Sequence, residues 1–324
     1  MGDVTINERT IATNGVDLRV FEAGPADGFP VVLCHGFPEL AYSWRHQLPA
    51  LAEAGYHVLA PDQRGYGGST RPDTVEAYEV RELCADICGL LDAVGAERAV
   101  VVGHDWGSIV AWSLAQRFPE RFAGVVGMSV PFVPRAPMPP TQLLKMVMGD
   151  TFFYMLYFQD PVAADADLSA DVRHTMRGFM AGLSPGADAD MSAMLGPHDG
   201  RGLRERLPDP ETLPDWLTED ELATYIANFE ASGFFGPTAW YANLDRNWEH
   251  SEDLAETKVT IPAMFLTGSA DPVVMMTPAS VMDGWVTDLR ASHSIEGAGH
   301  WVQQERPDEV NAALVAFLDS LDLS

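Results

Sequence analysis

The sequence contains very little lysine. Of its 324 residues only Lys145 and Lys258 are lysine, so arginine carries nearly all of the positive charge. The 20 basic residues stand against 47 acidic ones, and the formal net charge is −27 at pH 7. A nucleic-acid partner or an anionic membrane surface requires a basic patch, so this balance argues against both. We interpret the acidic excess as a contribution to solubility, with adaptation to a saline habitat as the alternative.

Cysteine is scarce, and long hydrophobic runs are absent. Cys34, Cys84 and Cys88 are too few for a disulfide framework and suit a reducing compartment, so we expect a cytoplasmic protein. No Cys or His residues at zinc-binding spacing accompany them, so we predict no metal site. The first residues, MGDVTINERT, do not combine a cationic start with an apolar stretch. We therefore expect neither a signal peptide nor a membrane span.

The remaining composition is that of an ordinary globular protein, arranged as a regular alternation of strands and helices. Apolar runs of strand length are followed by turn residues and then by segments with helical periodicity. This order predicts an α/β fold with a mostly parallel sheet flanked by helices on both faces. The predicted strands are Val4 to Arg9, Val16 to Glu22, Val31 to Cys34, His57 to Ala60, Ala99 to Val102, Phe122 to Met128, Ile261 to Thr267 and Leu289 to Ile295. The predicted core helices are Thr74 to Val94, Gly107 to Phe118 and Pro307 to Leu321.

A proline-dense stretch, PFVPRAPMPP at 131–140, interrupts this alternation. It cannot form a continuous helix or a central strand. Beyond it we expect helical segments and no strand, and the secondary structure of 165–214 is left open. The chain is thus predicted to have an α/β core at 1–130 and 247–324, with an inserted helical cap or lid at 131–246.

The turn GHDWGS at 103–108 lies between a predicted strand and a predicted helix. In α/β-hydrolases a turn in this position carries a serine nucleophile between its glycines, whereas here the middle residue is Asp105. An Asp at the start of a helix is most often an N-cap, but an N-cap does not require the flanking glycines and a sharp elbow does. We therefore predict that Asp105 is a nucleophile, which the helix N-terminus helps to keep ionised.

Asp271 in SADP and His300 in GAGH also follow predicted strands. Because the carboxyl ends of parallel strands meet at one edge of a sheet, these side chains and Asp105 should converge. Alone, Asp271 could be a turn residue and His300 a structural histidine, but together the three have the chain order of an α/β-hydrolase triad. A carboxylate that attacks a saturated carbon leaves an ester that activated water can cleave, whereas a serine would leave a stable ether. We predict that His300 is the general base and that Asp271 orients it.

Ester hydrolysis also requires N–H donors for an oxyanion. We predict that the backbone N–H groups of Phe37 and Trp106 form this oxyanion hole, and that the Phe37–Pro38 peptide bond is cis. The predicted substrate pocket contains Trp106, Phe37, Pro38 and Trp301.

Two leaving groups suit displacement at a saturated carbon. A halide needs only donors to solvate it, whereas an epoxide oxygen leaves as an alkoxide and needs a nearby acid, which a tyrosine hydroxyl can supply. The predicted cap has aromatic-rich stretches that contain tyrosines, but such stretches usually serve packing. The residues alone do not indicate whether Tyr154 or Tyr157 would supply this acid.

The motifs resemble those of the soluble, cytosolic-type epoxide hydrolases of the α/β-hydrolase fold, over nearly the whole chain. The segments that carry the resemblance are HGFPELAYSWRHQ at 35–47, DQRGYGGS at 62–69, GHDWGS at 103–108, FFYMLYFQDP at 152–161, GFFGPTAWY at 233–241, GSADPV at 268–273 and GAGHWVQQERP at 297–307. The resemblance implies conversion of an epoxide to a vicinal diol, with no metal or organic cofactor. It also implies that Tyr154 and Tyr241 hydrogen-bond the epoxide oxygen. The Met- and aromatic-rich cap indicates a small apolar substrate, but 165–214 shows no firm correspondence to the family.

Two other functions are considered. A haloalkane dehalogenase shares the core motifs, and the indole N–H of Trp106 could hold a halide, but Tyr154 and Tyr241 argue against it. A ligand-binding receptor on the same fold is the second, and the full set of reactive residue types argues against it. The sequence leaves open the oligomeric state, a homodimer included, and whether the role is detoxification, catabolism or biosynthesis.

Overall fold

The computed structural model describes residues 4–186 and 194–323. Its strands are β1 (Asn7–Thr13), β2 (Val16–Ala23), β3 (Pro30–Cys34), β4 (His57–Pro61), β5 (Ala99–His104), β6 (Phe122–Met128), β7 (Thr151–Phe153), β8 (Leu195–Pro197), β9 (Ala263–Gly268) and β10 (Leu289–Ile295). Eight of them form one sheet in the order β1-β2-β4-β3-β5-β6-β9-β10. The first three in that order pair antiparallel, and every later pair is parallel. The predicted α/β fold with a mostly parallel sheet is confirmed.

Helices cover both faces of this sheet. The α-helices are α1 (Gln47–Glu53), α2 (Val80–Ala93), α3 (Trp106–Arg117), α4 (Pro140–Met148), α5 (Tyr154–Tyr157), α6 (Pro161–Leu168), α7 (Val172–Gly182), α8 (Glu219–Ser232), α9 (Phe235–Ala242), α10 (Leu244–Glu249), α11 (Pro272–Met276), α12 (Val302–Glu305) and α13 (Pro307–Asp319). Successive residues of a strand point to opposite faces, so Val32 packs with the α2–α3 side and Val31 with the α1–α13 side. The central strands are therefore buried on both faces, which explains their continuous apolar runs.

The predicted elements of the core are found with shifted ends. The first strand begins later than predicted, at Asn7, and the hairpin turns at Asn14–Gly15, where both residues have positive φ. The helix predicted from Thr74 is divided, because Glu79 has extended backbone between a 3₁₀ turn and α2. Its apolar periodicity continues across this break, so the pattern alone did not reveal it.

The inserted segment lies between β6 and β9 and contains α4 to α10. The expectation of no strand there is wrong, because β7 and β8 form a two-stranded antiparallel sheet. Three-residue strands are too short to produce a recognisable alternation of apolar and polar residues. The open region 165–214 contains α7 and β8, and its residues 187–193 lie outside the described residues. The cap boundary predicted at residue 246 falls within α10.

In the described parts of the chain, we find no helix that combines the length and hydropathy needed to cross a bilayer.

Candidate active site

Asp105 lies at a sharp turn between β5 and α3. Its backbone has φ 52° and ψ −118°, a conformation that a non-glycine residue adopts only when the surroundings impose it. The flanking glycines allow the turn, because a Cβ on Gly103 would collide with the carbonyl oxygen of Gly107 and one on Gly107 with that of Cys34. The predicted elbow is therefore present, with a carboxylate at its tip.

The Asp105 carboxylate receives backbone hydrogen bonds from both predicted oxyanion-hole residues. The Phe37 N–H donates to Oδ1 at 2.8 Å, and the Trp106 N–H also hydrogen-bonds the carboxylate. Phe37 can reach it because β3 and β5 are neighbours, so the turns that follow them meet at one edge of the sheet. The Phe37–Pro38 bond is cis, as predicted. Burial raises the pKa of Asp105 above its usual value, although His300 and these N–H donors act to lower it. The position at the helix N-terminus therefore does not by itself decide whether Asp105 is ionised.

His300 lies between the two aspartates. Its Nε2 is 3.9 Å from Oδ2 of Asp105, and its Nδ1 is 3.2 Å from Oδ1 of Asp271. Burial opposes a charged imidazole here, but the carboxylates of Asp271 and Asp105 outweigh it and raise the pKa of His300 to about 9. The pKa of Asp271 is lowered, since His300 and the hydrogen bonds of Asp271 outweigh the effect of burial. The structure thus brings the three predicted residues together.

Ser129 occupies the position directly after β6, between the strands that precede Asp105 and Asp271. It has positive φ, and its hydroxyl donates to the His300 carbonyl at 3.1 Å. Its hydroxyl can donate the same proton to Asp271 instead, and this contact contributes to the lowered pKa of that residue. Ser129 thus supports both the orienting acid and the histidine. Sequence reasoning noted no role for it.

Tyr154 and Tyr241 face the core from the inserted segment. Tyr154 is the first residue of α5 and Tyr241 is the next-to-last residue of α9, and their ring centroids are 5.8 Å apart. Burial and the nearby Asp105 carboxylate raise the pKa of both hydroxyls far above the usual value, so both remain protonated. The Trp106 side chain hydrogen-bonds Tyr241. Because an indole N–H can only donate, the Tyr241 oxygen accepts this bond and keeps its own proton free to donate.

One narrow cavity joins these side chains. Its described lining consists of Phe37, Asp105, Tyr154, Phe179, Leu183, Met194, Tyr241, Val273, Met276 and His300. Of the predicted pocket residues this lining includes Phe37 but not Pro38, Trp106 or Trp301. Trp301 is fully buried, and its indole donates to the Met180 carbonyl at 3.0 Å instead.

Sequence reasoning missed five of the apolar lining residues. Phe179, Leu183 and Met194 come from the region 165–214, where no motif aligned and only tertiary contacts bring them to the cavity. Val273 and Met276 belong to α11, which starts directly after Asp271, so their closeness to the predicted acid was a usable signal.

A buried charged pair, Glu39 and His104, also escaped prediction. The Glu39 carboxylate is 2.6 Å from Nδ1 of His104 and accepts hydrogen bonds from Gln303 and Gln304. Burial would raise its pKa, but His104, His35 and the Gly36 N–H lower it to about 2. The second ring nitrogen of His104 lies 2.8 Å from the His300 carbonyl. Both residues stand inside the motifs HGFPE and GHDWGS, so their letters were visible although their pairing was not.

The described residues contain no group of three or more His, Cys, Asp or Glu side chains that could hold a metal ion. In the same residues Cys34, Cys84 and Cys88 are free thiols, and burial raises the pKa of each of them. No cysteine is therefore poised as a competing nucleophile at neutral pH.

Fold and site together define an α/β hydrolase in which a carboxylate stands at the nucleophile elbow. The alpha/beta hydrolase fold family matches residues 30–307. Epoxide hydrolase A of Mycobacterium tuberculosis is 52% identical over 98% of this chain and 98% of its own length. The bifunctional epoxide hydrolase 2 of Sus scrofa is 36% identical over 94% of this chain and 54% of its own length.

Solved structures give the same result. The crystal structure of epoxide hydrolase A from Mycobacterium thermoresistibile superposes with a TM-score of 0.94 at 54% identity, covering 99% of this chain and 100% of that one. An epoxide hydrolase from an endophytic Streptomyces reaches a TM-score of 0.93 at 42% identity, covering 97% and 95%. The chain belongs to the epoxide hydrolases, enzymes of the α/β-hydrolase fold, and the predicted family is confirmed.

Proposed function

We propose that this enzyme converts a small apolar epoxide to a vicinal diol through a covalent ester on Asp105. The observation that supports this most strongly is the arrangement around one cavity. Asp105 and His300 line it from the core side, and Tyr154 and Tyr241 line it from the cap side. An epoxide placed between them would present a carbon to the carboxylate and its oxygen to the two tyrosines.

In the first step a carboxylate oxygen of Asp105 attacks an epoxide carbon and the carbon–oxygen bond of the ring breaks. Tyr154 and Tyr241 donate hydrogen bonds to the departing oxygen, and one of the two transfers its proton to it, which completes the hydroxyl group and leaves a tyrosinate. Trp106 supports the step from the side, because its indole N–H occupies the Tyr241 oxygen and directs the tyrosine proton toward the substrate. Because the indole N–H of Trp106 is engaged by Tyr241, it is not free to hold a halide as it would in a dehalogenase.

In the second step water attacks the carboxyl carbon of the Asp105 ester. His300 takes a proton from this water, and Asp271 stabilises the imidazolium that forms. The oxyanion on the former carboxylate is held by the N–H groups of Phe37 and Trp106, which already hydrogen-bond that carboxylate in the free enzyme. When the intermediate collapses, the ester bond breaks and the imidazolium returns its proton to the departing diol oxygen. The acid proton left on the Asp105 carboxyl then replaces, through solvent, the one that the tyrosine gave up, which restores the enzyme.

The state of His300 is suited to this order of steps. In the free enzyme the Asp105 charge helps to keep its imidazole protonated. Esterification removes that charge, so the pKa of His300 falls and the neutral base becomes available when it is needed.

The division into a core at 1–130 and 247–324 and a cap at 131–246 fits this scheme, since one part supplies the nucleophile and the other the tyrosines. The aromatic and methionine lining supports an apolar substrate. A cytoplasmic location is proposed from the three free thiols.

A parallel turnover assay tests the proposal. Purified enzyme is incubated with styrene oxide, a neutral aryl epoxide, and separately with a panel of haloalkanes. We expect diol from the first and no halide from the second. Halide release without diol would refute the proposed role of the tyrosines, because it would show that the leaving group needs no acid.

We predict that Tyr154→Phe and Tyr241→Phe each slow ring opening by about tenfold to a hundredfold, and that the double variant is slower still. Each substitution removes one donor to the epoxide oxygen and leaves the other. Single-turnover kinetics of ester formation measure the effect. Tyr157→Phe is the matched control, because Tyr157 lies in the same helix and its hydroxyl bonds Asp167 instead. Equal loss in Tyr157→Phe and Tyr154→Phe would mean that Tyr154 acts through packing.

The two chemical steps should also respond differently to pH. Ring opening requires ionised Asp105, so its rate should fall as pH decreases through the raised pKa of that residue. Ester hydrolysis requires neutral His300, so its rate should increase with pH, with a midpoint below the value of about 9 found in the free enzyme. Stopped-flow tryptophan fluorescence across pH separates the two steps. A hydrolysis midpoint at or above 9 would contradict the proposed loss of the Asp105 charge.

A further inference from the structure

Glu305 is a buried carboxylate that none of the proposed steps uses. It lies at the end of α12 and is 6% exposed. Its Oε2 accepts the Gly299 N–H at 2.7 Å, and its Oε1 accepts the Trp301 N–H at 3.0 Å. These two N–H groups flank His300 in the chain. One side chain therefore holds the backbone on both sides of the histidine.

A helix cap explains only part of this arrangement. Trp301 is the N-cap of α12, and a glutamate that reaches back to an N-cap N–H is a common way to satisfy a helix terminus. The bond to Gly299 contributes nothing to the helix, because Gly299 precedes it by three residues. The next residue, Arg306, adds a third point of attachment, since its guanidinium donates to the Gly297 carbonyl at 3.2 Å.

The opposite side of the same loop is held by the cap. The His300 N–H donates to the Leu183 carbonyl at 3.0 Å. Gly299 fills the space between the two supports: a Cβ there would lie 2.6 Å from the Leu183 carbonyl oxygen and 3.0 Å from a Glu305 oxygen. The loop that carries His300 is thus fixed between Leu183 and Glu305, with no room for either to shift toward the other.

We propose that Glu305 is a positioning residue that sets the orientation of His300 for ester hydrolysis. The inference rests on the proposed function, because it concerns the second of the two steps. The His300 imidazole must keep its bond to Asp271 while a water fits between Nε2 and the Asp105 ester. A small rotation of the loop would disturb that geometry, and misplacement of about 1 Å can cost about a hundredfold in rate. Ring opening depends on Asp105 and the two tyrosines, and His300 affects it only through its charge, which a small rotation of the loop preserves.

Glu305→Gln tests the proposal. The amide keeps the shape and one acceptor oxygen, but its NH₂ group cannot accept the second backbone N–H. Single-turnover experiments with styrene oxide should show ring opening within about twofold of wild type and ester hydrolysis about 10- to 100-fold slower. Mass spectrometry of the quenched enzyme should then show accumulated ester. Glu309→Gln, which removes an exposed carboxylate from α13, is the matched control and should leave both steps unchanged.

The outcomes separate this inference from the proposed function. If wild type and His300→Gln form no ester on Asp105, the two-step scheme fails and the inference fails with it. If His300→Gln accumulates ester and Glu305→Gln does not, only the positioning role is refuted. Equal slowing of both steps in Glu305→Gln also refutes it, because that indicates a general structural role. Should Glu305→Gln not fold, Arg306→Met tests the same loop, and only selective slowing of hydrolysis supports the proposal.

Discussion

Replacement of Asp105 with alanine is expected to abolish diol formation, with a loss of at least about 10⁴-fold in kcat. Without the carboxylate no ester can form, and no neighbouring side chain can take its place. Burial raises the pKa of each of the three cysteines, and Asp271 is held by His300 and by the Val273 N–H. Diol production from styrene oxide, followed by chromatography, measures the loss.

The matched control is Asp27→Ala, which removes an exposed aspartate from a turn on the core. It should retain wild-type turnover. Both variants should keep the circular dichroism spectrum of the wild type, because alanine relieves the burial of a charge at position 105 and its small side chain fits the elbow. Diol formation by Asp105→Ala at more than about a hundredth of the wild-type rate would refute covalent catalysis at this residue.

The elbow was predictable because its signal is local. A sharp turn from strand to helix requires small neighbours, and Gly103 and Gly107 provide them on either side of Asp105. The chain position of Asp271 and His300 after predicted strands then placed them at the same sheet edge. In each case a short segment contained both the residue and the structural reason for its position.

The two tyrosines show where local reasoning ends. Tyr154 and Tyr157 lie on one helical turn in the same aromatic segment, and their sequence surroundings do not distinguish them. The resemblance to a family selected Tyr154. In the fold, the Tyr157 hydroxyl turns to Asp167 while Tyr154 lines the cavity with Asp105. That difference is decided by cap packing between distant segments, which single-sequence patterns do not contain.

Trp301 illustrates a related error of inference. It is predicted to lie in the pocket, and it follows His300 in the chain, but adjacent residues in a loop need not face the same way. The imidazole of His300 reaches Asp105, whereas the indole of Trp301 packs away from the cavity and bonds the Met180 carbonyl. The cavity is lined instead by residues of other elements, among them Leu183 and Met276.

Replacement of His300 with glutamine is expected to separate the two chemical steps. Ring opening should continue, since the nucleophile and both tyrosines remain in place. Ester hydrolysis should slow by about 10²- to 10⁴-fold, because glutamine cannot take a proton from water. The enzyme would then accumulate in a form that is heavier by one substrate molecule, and peptide mapping should locate the added mass on Asp105. A burst of one epoxide consumed per enzyme, without matching diol, is the kinetic counterpart of that result.

His293→Gln is the control, because His293 is exposed on β10 and takes no part in the site. It should turn over like the wild type and accumulate no ester.

The His300→Gln variant also tests how the charge of the site is distributed. In the free enzyme His300 contributes a positive charge that opposes the raised pKa of Asp105. Its loss should therefore shift the acid limb of ring opening to higher pH while the step itself survives at neutral pH. An unmodified Asp105 after single turnover of His300→Gln, with epoxide consumed, would mean that water attacks the epoxide directly and that the carboxylate acts only as a base.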